Sequence, residues 1–333
     1  MFWRYWSDAL LSTLQEKHVI VTGAAEGLGK KKKKYLTLDY PYSKTKQLSN
    51  QFFDDIIDVF NATGEQFAYF LSANQVSHLV IADRTTDLLV QVSKRCIELG
   101  CQNVKHITFD AGNEQECSFL ITESVKFFPD GTIDMLILNH AESVFEHIDF
   151  NAPPTETIAT LCRVTQVNYF GYAALAHHAL PYMTNDLTTT IVSSESPLTI
   201  TVTTTRKTNI IVVSSLASLL SVQRTHVYAA SKSAINQYFI RLRDELRFQG
   251  LAKNCRITIC ILGPIGTQNF YRTVRNPKLL SQAADPKATV VTIVTRSLYG
   301  DDWVYYPRFV GYATWLAGFV PEFMSRLANR LYS

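Results

Sequence analysis

The stretch HVIVTGAAEGLG, residues His18–Gly29, decides the fold. A short apolar run passes without a break into Thr-Gly-x-x-x-Gly-x-Gly. Strands buried on both faces of a parallel sheet read as such continuous apolar runs. Glycines let the backbone turn sharply and approach a pyrophosphate, and the N-terminus of a following helix favours the negative charge. The expectation is an α/β fold: a doubly wound parallel sheet of the Rossmann type with helices on both faces. Gly23, Glu26, Gly27, Leu28 and Gly29 are the candidate contacts of this turn.

A second stretch, VVSSLASLLSVQRTHVYAASK (Val212–Lys232), carries the chemistry. The apolar run Ile210–Val213 ends in two serines. Tyr228 follows Ser215 by thirteen positions, and Lys232 follows Tyr228 by four. The i, i+4 spacing puts Tyr228 and Lys232 on one helix face. A phenol beside an ammonium is easier to deprotonate, because the positive charge favours phenolate. A serine hydroxyl at the end of a neighbouring strand could hold a carbonyl oxygen against that phenol. This is a proton-transfer site for an alcohol/ketone couple, provided a hydride carrier lies alongside. Tyr-x-x-x-Lys alone is more often an ordinary helix-surface pair; the glycine turn upstream is what raises it above that.

With both motifs quoted, the chain resembles the short-chain dehydrogenase/reductase family, and within it the microsomal branch around 11β-hydroxysteroid dehydrogenase type 1. The matching pieces are TGAAEGLG (Thr22–Gly29), NHA (Asn139–Ala141), VNYFGY (Val167–Tyr172), VVSSLAS (Val212–Ser218), YAASK (Tyr228–Lys232) and LGPIGT (Leu262–Thr267). They occur in the family's order and span most of Lys17 to Pro307. The resemblance implies Tyr228 as acid/base, Lys232 lowering its pKa and touching the ribose, and Ser215 on the substrate oxygen. It implies Asn168 kinking its helix and holding a water that leads to Lys232. Asn139, Ala141, Ile265 and Thr267 would line the nicotinamide side, and Asp110 the adenine side.

Composition is that of a globular chain with a sizeable core: 333 residues, 47% apolar, 18% charged, net charge +3. One domain over 1–333 is expected, since the motifs span nearly the whole length. The charge argues for no polyanionic partner, and no nucleic-acid partner is expected. Cys96, Cys101, Cys117, Cys162, Cys255 and Cys260 have no metal-ligand spacing and read as reduced core thiols. His177-His178 reads as a helix-face pair, and no metal is expected. No run of about 18 apolar residues exists, and no secretory signal is apparent. The C-terminal tail, 309–333, mixes Trp, Tyr, Phe and Arg with aliphatics, which suits a membrane interface or a packed terminal helix. The implied setting is an endoplasmic reticulum membrane surface or the cytoplasm, and the implied assembly a homodimer.

The chain departs from the family's plan in three places. After Gly29 comes the lysine run Lys30–Lys34, and a helix resumes only at Gln66–Asn74. The second strand, His78–Ala82, ends at Asp83, sixty positions after Gly23, where a spacing of about 20 is usual. Residues 31–65 therefore read as an insertion, with the lysines a solvated loop. Residues 186–206, between Tyr182 and the fifth strand Asn209–Val213, read as a second insertion. Their Thr, Ser and Val content suits an exposed hairpin or a disordered loop. Glu142 stands where the family has glycine, a negative charge near the nicotinamide ribose that would weaken cofactor affinity.

The cofactor is expected to be NAD or NADP. Asp83 at the strand end would accept from ribose hydroxyls and repel a 2′-phosphate, favouring NAD; Arg84 would pair with that phosphate and favour NADP. The carboxylate's place at the strand end tips the reading to NAD. Asp110 could alternatively cap the helix Glu114–Phe127. Phe270–Thr289 is the expected substrate lid, with Phe270 and Tyr271 facing a lipophilic steroid, retinoid or long-chain ketone. The expectation is an oxidoreductase interconverting a secondary alcohol and a ketone. The alternative is a non-catalytic membrane-surface lipid-binding protein, or an inactive splice product with a damaged cofactor site.

Overall fold

The computed structural model describes residues 11–25, 63–144, 153–184, 187–192, 199–204, 206–267, 270–271, 280–320, 323–324 and 326–327; for the two strands within 187–204 only the backbone is described. In chain order the strands are β1 (His18–Thr22), β2 (His78–Asp83), β3 (Asn103–Thr108) and β4 (Met135–Leu138), then β5 (Leu187–Val192) and β6 (Thr199–Thr204), then β7 (Thr208–Ser215), β8 (Cys255–Leu262) and β9 (Trp303–Tyr306). Seven of them form one sheet in the order β3-β2-β1-β4-β7-β8-β9. All its pairings are parallel. The order reverses between β1 and β4, and ligands of open parallel sheets bind at that switch point, beyond the carboxyl ends of the strands.

The strands are buried on both faces because successive side chains point to opposite sides. Ile20, Val80, Leu136 and Val212 face one layer, packing with Leu120, Leu175, Ile235 and Phe239. Val21, Ile81, Ile137 and Ile211 face the other, with Phe67, Leu71, Leu89 and Ile293. The helices that supply these layers are α1 (Thr63–Ala73), α2 (Thr86–Glu98), α3 (Glu114–Phe127), α4 (Pro154–Thr165), α5 (Gly171–Ala179), α6 (Pro181–Thr184), α7 (His226–Phe248), α8 (Pro286–Tyr299) and α9 (Arg308–Ala317). This is the doubly wound sheet expected from the apolar runs.

Several boundaries differ from the expectation. Helix α1 starts at Thr63 rather than Gln66, so residues 63–65 belong to it. Asp110 is not a helix cap: Asn113 caps α3, its Oδ1 accepting from the amides of Gln115 and Glu116. The expected lid does not run to Thr289, because Asp285 caps α8 and Pro286 begins it. Cys162 is exposed, whereas the other five cysteines are buried free thiols. The long helical region is broken by a π-turn at Gln166–Phe170.

The hairpin β5–β6 is antiparallel and forms its own two-stranded sheet, pairing Leu187 with Thr204 and Val192 with Thr199. Just after it, Arg206 joins a buried polar cluster at the amino ends of β1 and β4. Asp134 accepts from the His18 amide at 2.9 Å, Lys17 Nζ at 3.2 Å and Arg206 Nε at 3.1 Å. Arg206 is also paired with Asp130.

Candidate active site

The carboxyl ends of β1 and β4 are stitched together around Gly23. Its φ of +66° is left-handed backbone, and a Cβ there would lie 2.7 Å from the His140 Cα, so only glycine fits. Thr22 Oγ1 accepts from the Asn139 amide at 3.2 Å, and Asn139 Nδ2 donates to the Gly23 carbonyl at 3.4 Å. His140 is buried, with Nε2 3.2 Å from the Val167 carbonyl and Nδ1 2.9 Å from Thr22 Oγ1. A carbonyl only accepts, so Nε2 carries the proton, and the single Thr22 hydroxyl proton is shared between the Ile137 carbonyl at 3.1 Å and the unprotonated Nδ1. Burial, with Lys232 adding to it, pushes the imidazole pKa down to about 3. His140 is a neutral bracket between the two strand ends.

The carboxyl end of β7 leads into a 3-10 turn, Leu216–Ser218, capped by Ser215, whose Oγ accepts from the Ala217 amide at 3.2 Å. That bond uses a lone pair and leaves the hydroxyl proton available. Tyr228 lies in the first turn of α7, and Lys232 one turn on. Lys232 is buried, at 2% exposure, and its ammonium donates to the Val213 carbonyl at 2.9 Å and to the Tyr172 hydroxyl at 3.3 Å. The Tyr172 hydroxyl donates in turn to the same carbonyl at 3.2 Å. Lys232 Nζ is 5.9 Å from the Tyr228 ring centre and 4.9 Å from that of Tyr172.

Asn168 sits in the π-turn, fully buried. Its amide makes a two-way exchange with the Glu142 backbone: Oδ1 accepts from the Glu142 amide at 2.7 Å, and Nδ2 donates to the Glu142 carbonyl at 2.9 Å. Nδ2 also lies 3.0 Å from Ser231 Oγ. Asn168 thus ties the β4 strand end to α7. The Glu142 carboxylate is ion-paired with Arg163 of α4. The negative charge expected to trouble a cofactor is therefore compensated by a cation from a neighbouring helix.

Ser215, Tyr228 and Lys232 all line one cleft of about 230 Å³, together with Thr63, Asn139, Ala141, Ile265, Thr267 and Phe270. A smaller recess is lined by Asp83, Arg84, Asp110, His140 and Glu142. Ala141 borders both, so the two adjoin at the switch point. Asp83 accepts from the amides of Ala25 and Thr85, each at 3.2 Å, and burial pushes its carboxyl pKa up despite those bonds. Asp110 Oδ1 accepts from the Gly112 amide at 2.8 Å.

Of the residues expected from the sequence, Gly23, Asp83, Arg84, Asp110, Asn139, Ala141, Asn168, Ser215, Tyr228, Lys232, Ile265 and Thr267 are described and lie at this end of the sheet. Glu26, Gly27, Leu28, Gly29 and the lysine run lie outside the described residues. Tyr172, which holds Lys232, is a site residue that sequence patterning misses; its one signal is a place four residues after Asn168. Thr63 on the cleft wall carries no signal at all, since it falls within the stretch that reads as an insertion.

The short-chain dehydrogenase family profile matches residues 60–277. The hydroxysteroid 11-beta-dehydrogenase 1-like protein of Xenopus tropicalis is 29% identical over 270 residues, covering 81% of this chain and 83% of that protein. The protein of that name from Gallus gallus is 30% identical over 234 residues, 70% of each chain. Among solved structures, a short-chain dehydrogenase/reductase from Burkholderia phymatum in complex with NAD superposes with a TM-score of 0.65 at 16% identity, covering 93% of this chain and 95% of its own. The Pseudomonas aeruginosa RhlG/NADP complex gives 0.62 at 14%, covering 88% and 95%. The chain belongs to the short-chain dehydrogenase family, and is a dehydrogenase/reductase of the class acting on CH–OH groups.

Proposed function

We propose that the protein interconverts a secondary alcohol and a ketone on a lipophilic substrate, using NAD or NADP. The observation that carries this reading is the convergence of Ser215, Tyr228 and Lys232 on one cleft whose other wall holds Asn139, Ile265 and Thr267. The left-handed Gly23, with the His140 backbone where a Cβ would stand, fits the tight turn that opens a dinucleotide-phosphate site. Structures of the family in complex with NAD and with NADP support the cofactor class. A nicotinamide bound in the cleft would supply or accept the hydride.

The chain's own residues handle the proton and the charge. In reduction the Tyr228 hydroxyl gives its proton to the substrate oxygen, and in oxidation its oxygen takes it back. The Ser215 hydroxyl proton, which the capping bond does not use, goes to the same oxygen and fixes its position. The buried Lys232 ammonium stabilises negative charge developing on the phenol oxygen. Val213 O and Tyr172 hold that ammonium, and Asn168 keeps α7 in register with the β4 end. The apolar wall from Leu216, Val222, Leu262 and Phe270 supports a lipophilic substrate, and relatives named for hydroxysteroids support a steroid within that class. Asp83 at the edge of the smaller recess supports NAD, and Arg84 beside it NADP.

The test is titration of nucleotide fluorescence with NADH and NADPH, followed by turnover of steroid, retinoid and long-chain ketones with whichever binds. Saturable binding and turnover of one class are expected. Absence of saturable binding of either nucleotide would overturn the enzyme reading in favour of a non-catalytic lipid binder.

We further propose peripheral membrane contact through the C-terminal helix. Tyr312 and Trp315 of α9, and Phe319 in the turn just past it, are 75%, 66% and 69% exposed, and the Trp315 and Phe319 rings touch edge to face. No described helix is long and apolar enough to cross a membrane. Flotation with phospholipid vesicles should carry the protein up, and Trp315→Ser with Phe319→Ser should release it. A protein that stays down but dissociates from a dimer on the same substitutions would assign this face to a second copy.

A further inference from the structure

We infer that Gly64, forty-one positions after Gly23, closes the dinucleotide-phosphate turn of this chain, in place of the Gly29 that the local motif offers. The inference rests on the cofactor reading above and concerns which backbone meets the pyrophosphate.

The carboxyl end of β1 and the start of α1 touch. A Cβ built on Gly64 would overlap the Gly23 carbonyl oxygen and lie 2.7 Å from both the Gly23 carbonyl carbon and Asn139 Nδ2. Two of those atoms are backbone and cannot rotate away, so no residue with a side chain fits without moving the helix off the strand. In a strand–turn–helix phosphate site, the last glycine is the one that lets the helix pack close to the strand it follows. Gly64 does this here, on the helix that covers β1.

The neighbours of Gly64 point the same way. Thr63 lines the cleft beside Asn139 and Ala141, so the first turn of α1 borders the cleft. The acidic residue of that turn, Glu65, accepts from the Tyr69 hydroxyl at 2.6 Å, one turn further along the helix. In the same turn Gln66 is buried, and its Nε2 has no hydrogen-bond partner among the described residues. The dipole of α1 favours an anion beside its amino end. The dinucleotide's diphosphate is the anion of the right class for a place with the recess at Asp83 on one side and the cleft at Tyr228 on the other.

The test is NADH and NADPH binding to the full-length protein carrying Gly64→Ala or Gly29→Ala. Gly64→Ala should weaken binding of the preferred nucleotide by about tenfold or more, and Gly29→Ala should leave it within about twofold. The second variant guards against a Gly64→Ala chain that does not fold, because its expected result is retention. Loss of binding in Gly29→Ala with retention in Gly64→Ala would overturn the inference and leave the cofactor reading standing. No binding by the unsubstituted protein would instead overturn the cofactor reading itself.

Discussion

Two strand-to-helix connections meet at the cleft, and the chain makes them in very different ways. From the end of β7 at Ser215 to Tyr228 in α7 it takes thirteen positions, with a single 3-10 turn between. From the end of β1 at Thr22 to Thr63 in α1 it takes forty-one. Both nevertheless deliver their residues to the same 230 Å³ of space. The contrast teaches that a site is specified by where backbone ends pack, and the length of chain between them matters little if those ends have a reason to meet. Closing a longer loop costs little more entropy for each doubling of its length, roughly 0.6 kcal/mol. The buried strand β1 and the apolar face of α1, with Phe67 and Leu71 inside, offset that cost.

The largest expected effect strikes the continuous connection alone. Tyr228→Phe should cut turnover by about 10²–10⁴-fold, the usual contribution of a general acid/base, while nucleotide affinity stays nearly unchanged. Steady-state rates beside fluorescence titration check both halves; a variant that keeps its turnover would remove Tyr228 from the proton path. Next is the opposite end of the sheet, which neither connection uses. Asp134→Ala leaves Lys17 and Arg206 without their shared carboxylate. It should cost about 3–5 kcal/mol in denaturant unfolding, as breaking a buried ion pair does. Nucleotide affinity of the folded fraction should not change; if it fell, the two ends of the sheet would be coupled.

The seam between the two connections is His140, and its effect is on pH dependence. In the unfolded chain it takes up a proton near pH 6.5, but in the folded protein only near pH 3. Its contribution to stability is therefore present above pH 6.5 and is lost as pH falls toward 3, at up to about 1.4 kcal/mol per pH unit. His140→Asn should flatten the stability profile between pH 6.5 and 4. An unchanged slope in chemical unfolding would mean that the ring titrates normally in the fold. The smallest effect belongs to the interrupted connection's far edge. Asp83→Ala should move the NADH/NADPH affinity ratio toward NADPH by about tenfold, the worth of one relieved like-charge contact. A fixed ratio would mean that Arg84 governs the choice.

Much of the site was legible because its signals are short-range. Tyr228 and Lys232 share a helix face by i, i+4 geometry, and Ser215 ends an apolar run that can only be a buried strand. Asp83 and Asn139 likewise follow apolar runs directly, so their place at strand ends could be read without knowing the sheet order. Glu142 was only half legible, for the opposite reason. Its charge is visible in the sequence, but the Arg163 that compensates it arrives from a helix twenty-one positions on. Asp110 could be read as the cap of α3, but its carboxylate takes the Gly112 amide, and Asn113, next to the helix, caps it instead.

By itself the sequence determined the layer order of strand and helix and the parallel sheet, and it singled out Tyr228, Lys232 and Ser215 as candidates for one site. These follow from periodicity and spacing, which act over one or two turns of chain. Tertiary structure alone decided that Gly64 lies against Gly23, that Tyr172 and the Val213 carbonyl hold Lys232, and that His140 stays neutral between Thr22 and Val167. Each of these depends on atoms brought within hydrogen-bonding or van der Waals range by packing between distant segments. Spacing along the chain cannot encode that distance.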